Sequence, residues 1–435
     1  MITTDQTQPV VKRNNYLVPT IIIGILFFIF GFVTWLNATL INFLKIACEI
    51  NNNVVLFLIT LSFYISYFVM AIPSSRLLKI TGLKKGMAFG LLVVAFGALI
   101  FIPAALTRTY SFFLIGLFVQ GAGLSLLQTA SNPYITILGP LESAAKRISI
   151  MGIFNKVAGV LSPIILSVLI LKGADVIVKK VDKITDVSEK EQLLNELASR
   201  VIMPYIIMAV VLIIMSVWIR YSGLPEVDQV EEEEEKEDST IRNKTSIFQF
   251  PHLIIGVIAL FFYVGVEVLA GDTIGQYGRM MGFDIKTYQY FTSYTLICMV
   301  VGYIIGIILI PKYLSQKTAL QICAVSGCVF SIAALVTHGM TSVILIALLG
   351  LSNSLMWPAI WPLALNRLGR FTKLGSALLI MSIAGGAIMP MIFGKLANSY
   401  PDHPQLAYSI LLPSYLIILF FAVRGYKAGL KYSAA

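Results

Sequence analysis

Residues Val201–Gly265 read VIMPYIIMAVVLIIMSVWIRYSGLPEVDQVEEEEEKEDSTIRNKTSIFQFPHLIIGVIALFFYVG. The first part, 201–220, stays apolar for the roughly 20 residues a helix needs to cross hydrocarbon. The composition then turns over. Residues 222–250 hold Glu231 to Glu235 in an unbroken row, followed by Glu237 and Asp238. Such a block repels itself and stays solvated, so it reads as an aqueous linker. From 252 the chain is apolar again. A span, a linker and another span divide the protein into an N-terminal unit, 1–221, a linker, 222–250, and a C-terminal unit, 251–435.

Working outward, spanning runs occur at about 16–43, 54–78, 87–106, 111–138, 149–171 and 201–220, and again at 252–277, 288–310, 318–336, 342–364, 375–396 and 405–423. Within the seventh run, 269–277 is the weakest part, because it holds Gly271, Asp272, Gly275 and Gln276. The composition agrees: 57% of residues are hydrophobic and 12% charged, about half the charged share of a soluble domain. Only a bilayer offers enough apolar surroundings for such a chain. The net charge of +10 does not point to nucleic acid, because the basic residues recur in short clusters between runs, as helix-flanking charge does at a membrane surface. Cys48, Cys298, Cys323 and Cys328 lack paired-ligand spacing and read as small buried hydrophobes. The polar segment Met1–Asn15 precedes a run too long for a signal peptide, so the first helix is expected to be retained.

Loop charge sets the orientation. With the N-terminus inside, the short inner loops receive Arg76, Lys79, Lys84, Lys85, Lys146, Arg147, Lys312, Lys317, Arg367, Arg370 and Lys373. The short outer loops receive few, which places both termini on the cytoplasmic side of the membrane. The other large loop, 172–200, looks helical from Ser188 to Arg200. The halves also echo one another. Gly159-x-x-x-Pro163 matches Gly386-x-x-x-Pro390 at an offset of 227, and Asn132-Pro133 answers Trp357-Pro358. The expected fold is therefore all-α: twelve transmembrane helices in two six-helix bundles related by a parallel repeat, the plan of the major facilitator fold.

Chemistry inside the spans is confined to few residues. Lys156, Glu267 and Asp272 are the charged side chains that fall well within them, where a charge costs at least roughly 2.5–3.5 kcal/mol. One lysine against two acids suggests an ion pair and a spare carboxylate, serving to tie the halves together, to couple transport or, as at Glu267, to accept hydrogen bonds from the hydroxyls of a substrate. Asn37, Asn42, Gln128, Asn132, Asn353, Trp357 and Trp361 add amides, which bond hydroxyls in both directions, and indoles, which cover the apolar face of a sugar ring. They lie on helices one, four and ten, which would line a cavity together with helix seven. Arg76, Lys84, Arg147 and Arg367 are candidates for a cytoplasmic latch. The histidines stand at run edges, and no phosphate-binding loop, hydrolytic triad or metal cluster is present, so no enzyme activity and no cofactor are expected.

Three segments carry a resemblance: QTASNPYITILGPLESAAKRISIMGIFNKVAG (Gln128–Gly159), YVGVEVLAGDT (Tyr263–Thr273) and WPAIWPLALNRLGRFTKLGSALLIMSIAGGAIMP (Trp357–Pro390). They resemble the fucose–galactose–glucose symporter family of the major facilitator superfamily, closest to its glucose/galactose transporter branch. The resemblance implies a monosaccharide importer working by alternating access, with glucose, galactose, fucose or an N-acetylated sugar as cargo. Its partners would be that sugar and the lipid bilayer, with the monomer as the functional unit. Fucose permeases of the family couple to protons through an aspartate in helix one and a glutamate in helix four. Matching those motifs puts Ala38 and Gln128 at the two positions, so neither role carries over. Transported Na+ or H+ would then use Glu267 or Asp272, and Glu267 falls in the YVG-x-E motif of glucose/galactose-type relatives. The alternatives are a uniporter or exporter of another small polar solute, and a sugar sensor that does not transport.

Overall fold

The computed structural model describes residues 17–137, 144–171, 180, 186–224, 244–310 and 313–430. The acidic row Glu231–Glu235, the Gly139-Pro140-x-Glu142 part of the segment Gln128–Gly159 and the polar segment 1–15 lie outside these residues.

Among the described residues, twelve helices are long and apolar enough to cross a membrane. The first six are α1 (Val18–Ala47), α2 (Leu58–Thr81), α3 (Leu83–Leu106), α4 (Tyr110–Asn132), α5 (Arg147–Ile170) and α6 (Val187–Tyr221). The second six are α7 (Pro251–Asp272), α8 (Ile285–Leu309), α9 (Gln316–Val336), α10 (Gly339–Leu365), α11 (Leu374–Ser399) and α12 (Pro404–Lys427). Their outward faces expose side chains such as Phe96, Ile214, Val217, Val329 and Phe420. In water these would be a liability, whereas in lipid they face a matching medium. The chain is an all-α, multi-pass membrane protein.

Boundaries shift by a few residues from the hydropathy reading. The second span begins at Leu58, after a short helix, Asn53–Leu56, whose first turn is capped by the Asn52 side chain accepting from the Val54 amide at 2.8 Å. The third begins at Leu83 because Gly82, at φ 76°, turns the chain between α2 and α3. The sixth has an amphipathic prelude, Val187–Ser199, before its apolar part, Ile202–Tyr221.

Three of the interrupted spans, α7, α10 and α11, bear on the site, and each breaks for a local reason. In α7 the helix ends at Asp272 and a new one runs over Ile274–Met280. The Thr273 hydroxyl donates back to the Leu269 carbonyl at 2.6 Å, while Thr295 and Thr292 of α8 donate to the carbonyls of Ala270 and Gly271 at 2.8 and 2.7 Å. Backbone acceptors loosened by the break are thus satisfied from the neighbouring helix, as burial at membrane depth requires. In α10 the first segment stops at Ser354 and the second starts at Met356. Pro358 has no N–H to offer the Ser354 carbonyl, so the ladder parts there. In α11 a turn of tighter helix, Ser382–Ala384, precedes Gly385-Gly386.

The sixfold halves pack alike. A Cβ added at Gly31 of α1 would collide with the Asn155 carbonyl of α5, and one at Gly385 of α11 would collide with the Phe261 carbonyl of α7. Backbones therefore touch at the α1/α5 crossing and at its counterpart, α7/α11, with the glycine on opposite partners. With twelve spans, the start of α1, the end of α6, the start of α7 and the end of α12 share one face, here called the termini face, and the opposite one is the far face. The bundles meet along two seams. Along one, Ser293 of α8 donates to the Val160 carbonyl of α5 at 3.0 Å, and Gly152 of α5 abuts the Tyr303 ring of α8. Along the other, Gly386 of α11 rests on Tyr64 of α2, and the Phe57 and Phe393 rings meet edge to face at 5.5 Å.

Candidate functional site

Helical spacing assembles the site. Residues three, four and seven apart share a helix face, so Phe27, Phe30 and Thr34 of α1 point one way, as do Gln128 and Asn132 of α4, and Tyr263 and Glu267 of α7. These faces, with Tyr64 and Tyr67 of α2, Asn155 and Lys156 of α5, Tyr303 of α8 and Trp357 of α10, enclose a cavity of about 120 Å³ between the bundles. That is far more than the roughly 10–15 Å³ one water needs. Both halves supply its walls.

Lys156 and Glu267 meet across it, Nζ to Oε1 at 2.6 Å, with side chains only 8% and 12% exposed. The lysine ammonium also stands 4.5 Å from the centre of the Trp35 ring. A buried ammonium held by a carboxylate on one side and an indole face on another is well compensated. The single cation expected to pair with either of two acids is therefore committed to Glu267, and it joins the N-terminal bundle to the C-terminal one. Asp272 is the other acid. It is 1% exposed, and neither carboxyl oxygen meets a hydrogen-bond donor among the described residues.

The remaining walls are amides and aromatic rings. Gln128 donates from Nε2 to the Tyr67 hydroxyl at 3.1 Å, which orients both. Asn155 donates to the Phe27 carbonyl at 3.4 Å. Trp357 packs near Tyr263, with ring centres 6.4 Å apart, and stacks on Trp361 at 5.3 Å. Trp361 thus supports the cavity wall from behind and does not line it. Three amides expected at the site lie elsewhere. Asn37 is fully buried off the cavity, Asn42 donates to the Ala38 carbonyl of its own helix at 3.2 Å, and Asn353 accepts from the Tyr415 hydroxyl at 2.8 Å. The last is an interhelical tether within the C-terminal bundle, the commoner use of a buried amide.

Several lining residues went unnoticed in the sequence: Trp35, Tyr64, Tyr67, Tyr263 and Tyr303. The available signal was spacing, since Tyr263 precedes Glu267 by one turn and Tyr64 precedes Tyr67 by three residues. The basic residues proposed as a latch stand on the termini face. Lys84 donates to the Ser222 carbonyl at 2.6 Å and Arg147 to the Ile135 carbonyl at 3.0 Å, while Arg76 and Arg367 are exposed.

At the far face the bundles are closed by amides. Asn398 of α11 donates from Nδ2 to the Asn52 Oδ1 at 3.0 Å and accepts from the Asn53 amide at 3.4 Å. Gln276, just beyond α7, donates to the Asn53 Oδ1 at 3.1 Å. An inter-bundle cavity lined by amides, indole and a buried ion pair, and sealed at one mouth, is built to hold a small polar solute part-way across a membrane.

Comparison with known proteins agrees. Residues 23–389 match the family model of the Major Facilitator Superfamily. The chain is 33% identical over 420 residues to a glucose/galactose transporter of Brucella abortus, covering 96% of each chain. It is 28% identical over 424 residues to the L-fucose-proton symporter of Escherichia coli, covering 94% of each. The fold is similar to the crystal structure of that organism's fucose:proton symporter FucP, with a TM-score of 0.71, 26% identity and coverage of 94% of this chain and 98% of that one. The chain therefore belongs to the Major Facilitator Superfamily, within the group whose curated members are glucose/galactose transporters and fucose symporters.

Proposed function

We propose that this protein is a secondary active transporter that imports a monosaccharide of the glucose or galactose type by alternating access, coupled to a cation. It is a carrier and not an enzyme. The observation that carries the reading is the cavity between the bundles, where Gln128, Asn132 and Trp357 stand opposite the Lys156–Glu267 pair. Amides suit hydroxyls in both directions, an indole face suits the C–H face of a pyranose, and the carboxylate accepts from adjacent hydroxyls. The relatives named for glucose, galactose and fucose support the same cargo class.

The excess of lysine and arginine in short loops on the termini face supports placing that face in the cytoplasm of a bacterial inner membrane. Under that placement the amide seal at Asn52, Asn53, Gln276 and Asn398 closes the periplasmic mouth. The latch formed by Arg76, Lys84, Arg147 and Arg367 belongs to the opposite state, when the bundles rock and the cytoplasmic ends converge. The same reading takes the monomer as the functional unit.

The test is uptake into proteoliposomes of labelled glucose, galactose, fucose and N-acetylglucosamine, with sodium and pH gradients varied independently. Accumulation of at least one hexose above equilibrium, driven by one of the two gradients, is the expected result. Binding without accumulation or exchange would make the protein a sensor. A second reading, uniport, draws on Ala38 and Gln128, the positions that the resemblance matches to the protonatable pair of fucose permeases. Equilibration of sugar that no ion gradient alters would establish it.

A further inference from the structure

Val264, Val268, Asp272 and Gln276 succeed each other at intervals of four along α7 and its continuation, a stripe that winds slowly round the helix and crosses the break at Thr273. The stripe runs from the cavity to the far mouth. Val264 and Val268 line the cavity, and Gln276 bonds Asn53 in the far-face seal. Asp272 sits between them, enclosed from both sides, at the point where the helix breaks. It lines neither the cavity nor the surface.

Its surroundings do not suit an ionised carboxylate. Both oxygens are buried and without a donor among the described residues. The titratable groups whose fields reach it are Glu267 on its own helix, Lys156 on α5 and Tyr64 on α2. Lys156 is already neutralised by Glu267 at 2.6 Å, and Tyr64 lies at the level of Val268, in contact with Gly386. A lone carboxylate buried without a protein donor is removed most simply by taking up a proton. A sodium ion would need several oxygen ligands in place of its water, and Asp272 offers two.

We propose that Asp272 is the proton carrier of the transport cycle: it is protonated from the far-face water when the amide seal is open, is enclosed as the carboxylic acid in the conformation described, and releases the proton toward the cavity past Tyr64. One O–H bond forms on the carboxyl when a hydronium ion or buffer acid donates, and the same bond breaks when cavity water accepts. The Lys156–Glu267 pair keeps its contact and positions the sugar. This assignment rests on the transport reading above, and it moves the coupling site one helical turn beyond the sugar cavity, away from the positions occupied by Ala38 and Gln128.

The test has two arms. In the first, infrared pH titration of the purified protein in lipid nanodiscs looks for a protonated-carboxyl band at neutral pH that is present in the wild type and missing in Asp272→Asn. This arm needs no sugar, so it stands even if the hexose reading fails. No such band overturns the proposal. In the second, wild-type proteoliposomes free of sodium accumulate hexose under an inward proton gradient. Asp272→Asn keeps sugar exchange within about twofold but loses accumulation at least tenfold, and Asp272→Glu retains proton-driven accumulation. Exchange by the wild type with no response to the proton gradient, or accumulation driven by sodium alone, would overturn the proton assignment and leave the carrier reading intact. Absence of all hexose exchange would instead strike the carrier reading.

Discussion

At the scale of single residues, the Lys156–Glu267 pair decides most. Removing one partner of a buried pair leaves an uncompensated charge and costs about 3–5 kcal/mol. Lys156→Met and Glu267→Gln are each expected to lower the melting temperature and to reduce sugar uptake severely. The double variant is expected to be less damaged than the sum, with a coupling energy of about 0.5–3 kcal/mol, measurable by thermal melts of the purified proteins. Additive losses would show that the contact at 2.6 Å contributes nothing. At the cavity wall, Trp357→Ala and Gln128→Ala are expected to raise the KM for hexose about tenfold each, near the 1.4 kcal/mol that such a factor represents. Uptake kinetics with unchanged KM would remove them from the sugar site. Residue identity was legible in part. Lys156, Glu267, Gln128 and Trp357 stood out because a polar or indole side chain in hydrocarbon demands a reason. Asn37, Asn42 and Asn353 looked equivalent, because hydropathy reveals the depth of a residue but not the direction its helix turns it. The five aromatics were hidden for the opposite reason: a ring in an apolar run looks the same whether it faces lipid, core or solute.

At the scale of elements, the spans were readable because the bilayer imposes a length, and the fracture of α7 was readable from Gly271, Asp272 and Gly275. The break in α10 at Leu355 was not anticipated, although Pro358, four residues beyond Ser354, is its cause. The hydroxyls of Thr292 and Thr295 hold the α7 fracture together by bonding two loosened carbonyls. Replacing both with valine strands those acceptors and is expected to cost about 1–3 kcal/mol for each, seen as a lowered melting temperature. An unchanged melt would mean that water or a shifted backbone satisfies them. The glycine crossings are stricter. Gly31→Leu and Gly385→Leu force backbones apart at the α1/α5 and α7/α11 contacts, and overpacking of this kind typically costs at least about 1–3 kcal/mol. Fluorescence-detected size-exclusion profiles are expected to show loss of folded monodisperse protein for both, and a normal profile for either would contradict the close approach.

At the scale of the whole molecule, two bundles pivot on seams of apolar and hydroxyl contacts around one central ion pair. The far mouth is shut differently, by Asn398 on Asn52 and Asn53, with Gln276 on Asn53. Asn398→Ala is expected to shift the population toward the state open at that face, read, in a Cys48→Ala background, as faster labelling of a cysteine introduced at Val268 on the cavity wall by a membrane-impermeant maleimide added from that side. Equal labelling rates would relocate the seal. Carboxamides make a particular kind of closure. Each contact given up on opening is handed to solvent, which can both donate and accept, so the net loss per contact is only about 0.5–1.5 kcal/mol. A door fastened this way parts at little cost in free energy, since water takes over each bond as it is released.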